Sequence, residues 1–226
     1  MADIKLLKGT LIIYGNKLSS DDVKTLAELP FDSYDVGNNI FEFNLYDKDD
    51  NVLLALKNIV LKYPELTIDP LSKSPTEDLE RIVKEIDFII SANNAARRLL
   101  NLIKKYFEKF FGVKIKRFYM PGVDEFRGYI YIFTRYGKEI DFEIEKTDYA
   151  TFKRLAKFVK YHYGYGFFTL NEDKNVMFRL PSDPTKYFRW SHVLEVRTPE
   201  AAFNFFLEQL SYIEADFDKY AVPPPV

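Results

Sequence analysis

Residues 32–47 read DSYDVGNNIFEFNLYD. Gly37, Asn38 and Asn39 are turn residues, because glycine and asparagine tolerate positive φ at little cost. After them Phe41, Phe43 and Leu45 alternate with Ile40, Glu42 and Asn44, which is the period of a strand with one buried face. The stretch therefore predicts a β-hairpin, and the first third of the chain organises around it.

Before it, Leu6 to Tyr14 reads as a strand that ends at Gly15-Asn16. Ser19 or Ser20 can cap a helix over 20–29, with Asp21 and Asp22 in its first turn and Pro30 as the stop. After it, Val52, Leu53, Leu56, Ile59, Val60 and Tyr63 share one face of a helix over 50–63, and Leu66 to Ile68 fits a short strand. The resulting order, β-α-β-β-α-β, is that of a ferredoxin-like domain over residues 1–70. The segment DPLSKSPTED that follows is a turn-rich joint.

Residues 77–226 predict a larger α+β domain. A long apolar period runs from Glu77 to Phe111, with Ser91-Ala92-Asn93-Asn94 as the expected junction of two helices, since Ser and Asn prefer caps to helix interiors. Gly112 ends the run. Strands are expected at 113–119, 127–135, 138–145, 166–170, 176–180 and 188–196, and helices at 148–162 and 199–212. Tyr136-Gly137 would join two of these strands as a hairpin. The fold class expected is α+β, with antiparallel sheets and packed helices. No internal repeat is evident.

The formal charge of −2 conceals an uneven distribution. Residues 1–90 sum to −7, residues 91–170 to +8 and residues 171–226 to −3. A basic middle between acidic ends points to a local patch and its partners, not to a globally basic protein. With no cysteine, disulfides, thiolate nucleophiles and Cys-ligated metal sites are excluded. The sequence shows neither a secretory leader nor an apolar run long enough for a membrane span, so a cytoplasmic location is expected.

Two candidate sites emerge. GKEIDFEIEK (137–146) places Glu139, Asp141, Glu143 and Glu145 on one strand face, behind an apolar face of Ile140, Phe142 and Ile144. Asp141 and Glu143, about 6.5–7 Å apart by Cα, have the spacing of a divalent-metal pair for phosphoryl transfer. The simpler expectation is an acidic row turned to solvent, with no metal and no cofactor. The Glu-x-Lys of restriction-type nucleases is not reproduced, because Lys146 stands one place too late.

The second candidate is a pair of amphipathic helices with basic outer faces. One carries Arg97, Arg98, Lys104, Lys105 and Lys109; the other carries Lys153, Arg154, Lys157 and Lys160. Tyr161, Tyr163 and Tyr165, set among glycines, could stack bases beside them. Such rows track phosphates in a salt-sensitive way. The reading is a non-enzymatic binding protein that engages nucleic acid through residues 91–170. An acidic protein partner is the alternative, and a homodimer in which the acidic N-terminal region covers the patch is compatible. His162 and His192 lack the partners that catalysis or zinc would require.

Overall fold

The computed structural model describes residues 2–68, 75–119, 139–145, 147–163, 168–170, 176–181, 184–191 and 199–224. The chain divides into two compact units, Met1–Asn93 and Asn94–Val226. The joint expected near 69–76 falls almost wholly outside the described residues.

In the first unit β1 (Ile4–Leu7) and β2 (Thr10–Tyr14) lead to α1 (Ser20–Glu28). Then β3 (Ser33–Asp35) and β4 (Ile40–Asn44) lead to α2 (Asp50–Lys62). The order is β-β-α-β-β-α, which corrects the ferredoxin-like expectation at both ends. The run Leu6–Tyr14 is not one strand: Lys8 (φ 49°) and Gly9 (φ 83°) fold it into a two-residue hairpin. At the other end Pro64–Thr67 is a 3-10 turn instead of a strand. The sheet is fully antiparallel, in the order β1-β2-β4-β3. Ile4, Leu6, Leu11, Ile13, Phe41 and Phe43 line its buried face. Leu26 of α1 and Val52, Leu53, Leu56, Ile59 and Val60 of α2 complete the core.

From the second strand of each ββα half onward the two halves repeat each other thirty residues apart, whereas the hairpins differ: Leu7 pairs with Thr10 across two residues and Asp35 with Ile40 across four. Gly15 N donates to Asn39 O at 2.7 Å, and its counterpart Leu45 N donates to Gly9 O, the counterpart of Asn39, at 3.0 Å. Gly9 and Asn39 both have positive φ. β2 and β4 each pass through a 3-10 turn to a capped helix: Ser19 accepts from Asp22 N, and Asp49 accepts from Val52 N. The β2–β4 register is symmetric about the pair Ile12–Glu42, with Thr10 opposite Asn44 and Tyr14 opposite Ile40. Only one residue, Leu26 and its counterpart Leu56, is identical between 10–26 and 40–56.

A single helix, α3 (Pro75–Phe111), replaces the two expected. The residues expected to break it are instead suited to its interior. Ala92 and Asn93 are fully buried, and the Asn93 amide donates to Asp50 Oδ1 at 3.1 Å, so Asn93 has no need to act as a cap. Within the first unit α3 also holds Asp87, paired with Lys57 at 2.7 Å, and Glu85, which accepts from the Tyr46 hydroxyl.

In the second unit β5 (Ile115–Tyr119), β6 (Glu139–Ile144), β7 (Phe168–Leu170) and β8 (Val176–Pro181) form an antiparallel sheet in the order β5-β6-β8-β7. The expected partner of β6, residues 127–135, lies outside the described residues, whereas both edges of β6 carry other strands, β5 and β8. Helices α4 (Tyr149–Tyr163), α5 (Pro199–Ala215) and α6 (Phe217–Tyr220) follow. Pro199 opens α5, as expected of a proline at the first helical position. The strand expected at 188–196 is not formed in its described part: Phe188 makes an isolated bridge to Ala221, and 189–191 are irregular. The core is aromatic. Phe107 lies 5.4 Å from Phe142 and 5.8 Å from Phe158 by ring centroids, and Tyr106 lies 5.4 Å from Tyr187.

The fold is thus α+β with antiparallel sheets and packed helices. Among the described residues no helix is long and apolar enough to cross a membrane.

Candidate nucleic-acid interface

Position i, i+4 and i, i+7 lysines lie on one helix face, so whether a basic helix offers charge to a ligand depends on what packs beside it. On α3 the complement comes from the C-terminal segment. Arg98 holds Glu214 with two bonds, Nε to Oε1 at 2.9 Å and Nη2 to Oε2 at 2.6 Å. Lys109 pairs with Asp218 at 2.6 Å, and this lysine holds the Asp218 carboxyl below the usual carboxylate range. Lys105 lies 4.5 Å above the Phe217 ring, and Lys104 lies 5.5 Å above Phe118. Arg97 is half-buried and also engaged. On α3, then, Arg98 and Lys109 are engaged in surface ion pairs with the C-terminal segment. Both acids come from residues 214–218.

On α4 the arrangement differs. Arg154 Nη2 donates to the Phe110 carbonyl, its guanidinium 5.5 Å above the Phe111 ring. It satisfies a carbonyl at the C-terminus of α3, where Gly112 (φ 69°) ends the helix. A cation there also complements the helix dipole. Arg154 is thus occupied structurally. Lys153, Lys157 and Lys160 remain exposed. Lys153 sits 4.6 Å above the Tyr149 ring, and none of the three has a carboxylate partner among the described residues. Leu155, Phe158 and Val159 are buried on the opposite face. Lys114 and Lys116, on the chain leaving α3, are exposed as well.

Tyr161 and Tyr163 fall in the last turn of α4, and Tyr165 lies outside the described residues. Tyr149, which the sequence did not single out, is 71% exposed. Its place in the first turn, before the helix reaches the core, was the available signal.

The acidic row is also corrected. Glu143 is only 5% exposed, so the face is not a uniformly solvated one, although Glu145 is exposed. The register sets Arg117 of β5 opposite Glu143 and Arg179 of β8 opposite Asp141. Among the described residues no group of three or more His, Asp or Glu side chains is placed to hold a metal ion.

No family model matches the chain, no curated protein matches its sequence, and no solved structure matches its fold.

Proposed function

We propose that this chain is a non-enzymatic, cytoplasmic binding protein that engages nucleic acid through the outer face of α4. The observation that carries this reading is the exposed row Lys153, Lys157 and Lys160, which among the described residues has no acidic complement of the kind α3 receives. Three ammonium groups on one face can replace counterions along a phosphate backbone. The contacts would fix position and carry little sequence information. Lys114 and Lys116 extend the positive surface.

A second reading rests on Glu214 and Asp218. They demonstrate that a basic helix of this protein can be complemented by carboxylates, so an acidic polypeptide could occupy α4 in the same way.

Fluorescence anisotropy with labelled oligonucleotides tests the first reading. Three phosphate contacts predict a fall in affinity of roughly 20- to 40-fold between 50 and 200 mM salt. The K153E/K157E/K160E variant should lose binding at 50 mM salt while keeping its circular dichroism spectrum. Equal binding by the variant and the wild type would remove nucleic acid from the reading.

A further inference from the structure

Tyr149 stands in line with the lysines. Residues 149, 153, 157 and 160 are spaced by four, four and three, which keeps all four on one stripe of α4. The stripe spans about 16 Å along the helix. Its first member is an aromatic side chain, 71% exposed, whose only described neighbour in ring geometry is the Lys153 ammonium, 4.6 Å from the centroid.

Among the described residues of this unit the other exposed tyrosine, Tyr212, is engaged: its ring stacks on Tyr220 and its hydroxyl donates to Glu208 at 2.7 Å. The nearby Asp148 carboxylate is turned to its own helix. It accepts from Thr151 N at 2.8 Å and from the Thr151 hydroxyl at 3.1 Å, and these bonds hold it below the usual carboxylate range. It caps the helix beside the ring without pairing with the lysines.

Resting on the nucleic-acid reading of α4, we propose that the stripe takes a single strand, with Tyr149 as the platform on which one base stacks and Lys153, Lys157 and Lys160 following the phosphates. A duplex supplies phosphates but keeps its base faces stacked internally, so it would leave the ring unused. A single strand presents both. An exposed ring beside a row of cations is the combination that sequence-tolerant single-strand binding requires.

The test compares a single-stranded oligothymidylate with a duplex of the same length at 50 mM salt. Wild type should favour the single strand. Tyr149→Ala should weaken single-strand binding about tenfold and leave duplex binding unchanged, and Tyr149→Phe should keep wild-type affinity. Full single-strand affinity in Tyr149→Ala, together with loss of binding in K153E/K157E/K160E, would overturn the stacking role while the phosphate reading stands. Undiminished binding by K153E/K157E/K160E, or no binding by wild type, would overturn the phosphate reading and this inference with it. Tyr149 is exposed, so its replacement leaves the core packing in place.

Discussion

Arg98 and Glu214, 116 positions apart in sequence, meet as a two-bond pair, and Ser211 Oγ lies 3.4 Å from the same guanidinium. The contact raises the affinity of Arg98 for its proton, through the hydrogen bonds to Glu214. It anchors the C-terminal helix α5 to α3. Exposed ion pairs contribute about 0.2–1 kcal/mol, and bidentate geometry places this one near the upper end. A double-mutant cycle with Arg98→Ala and Glu214→Ala, followed by urea unfolding, should return a coupling of about 1 kcal/mol that shrinks in high salt. A coupling near zero would make the pair incidental.

Asp22 gives the first unit an acid-sensitive joint. Its carboxylate accepts from Lys62 Nζ at 2.6 Å, from the Tyr63 hydroxyl at 2.6 Å and from Ser19 Oγ at 2.9 Å, tying the start of α1 to the end of α2. Lys62 first, then Tyr63, lowers its pKa. A depressed folded-state pKa means that the stabilisation is complete above the unfolded value, about 3.9, and is lost as pH falls through the folded one. Stability measured between pH 6 and pH 2 should fall less steeply in Asp22→Asn than in wild type. Ser19→Ala should cost about 1 kcal/mol as a lost cap.

Three glycines should respond differently to alanine. At Gly9, φ is 83° and an added Cβ would lie 2.3 Å from the Tyr46 ring, so strain and clash combine. Gly9→Ala should cost at least about 2 kcal/mol. Gly112, with φ 69° and nothing within 4 Å of the added atom, should show the backbone cost alone, about 1 kcal/mol. Gly37, where the nearest atom is Asp35 Oδ1 at 3.4 Å, should be near neutral. Chemical denaturation of the three variants checks the ranking.

Lys48 is buried to 6% exposure and pairs with Asp32 at 2.7 Å. Its partner also accepts from Asn44 N at 2.6 Å. Removing one member strands the other, whereas an apolar replacement of a buried ion removes the desolvation cost. Asp32→Ala should therefore destabilise by about 2 kcal/mol, and Lys48→Met by less. The reverse order in urea unfolding would contradict this account.

The hairpin at 32–47 was legible because turn chemistry and alternation agree there. The hairpin at Lys8-Gly9 was not, because its two turn residues sit inside an apolar run that reads as continuous. A lone glycine in such a run was the one clue. Asn93 suggested a helix break because a sequence shows its preference for caps but not the Asp50 carboxylate that accepts from its amide NH2. Basic residues on α3 and α4 look alike as text. Their difference lies in Glu214 and Asp218, which only folding brings to Arg98 and Lys109. Glu143 looked solvated because alternation shows two strand faces without showing what lies over each.

The thirty-residue symmetry of the first unit constrains how it can come apart. Its inner strands, β2 and β4, are each the outer edge of their own hairpin, and each is protected only by the other. Severing the chain between Leu29 and Asp32 would give two fragments, each with an open edge already shaped to accept a strand related to its own. Either fragment should self-associate through that edge instead of remaining a monomer. The intact polypeptide avoids this by supplying its own mate at high effective concentration, so the covalent link between the halves acts as a safeguard against misassembly.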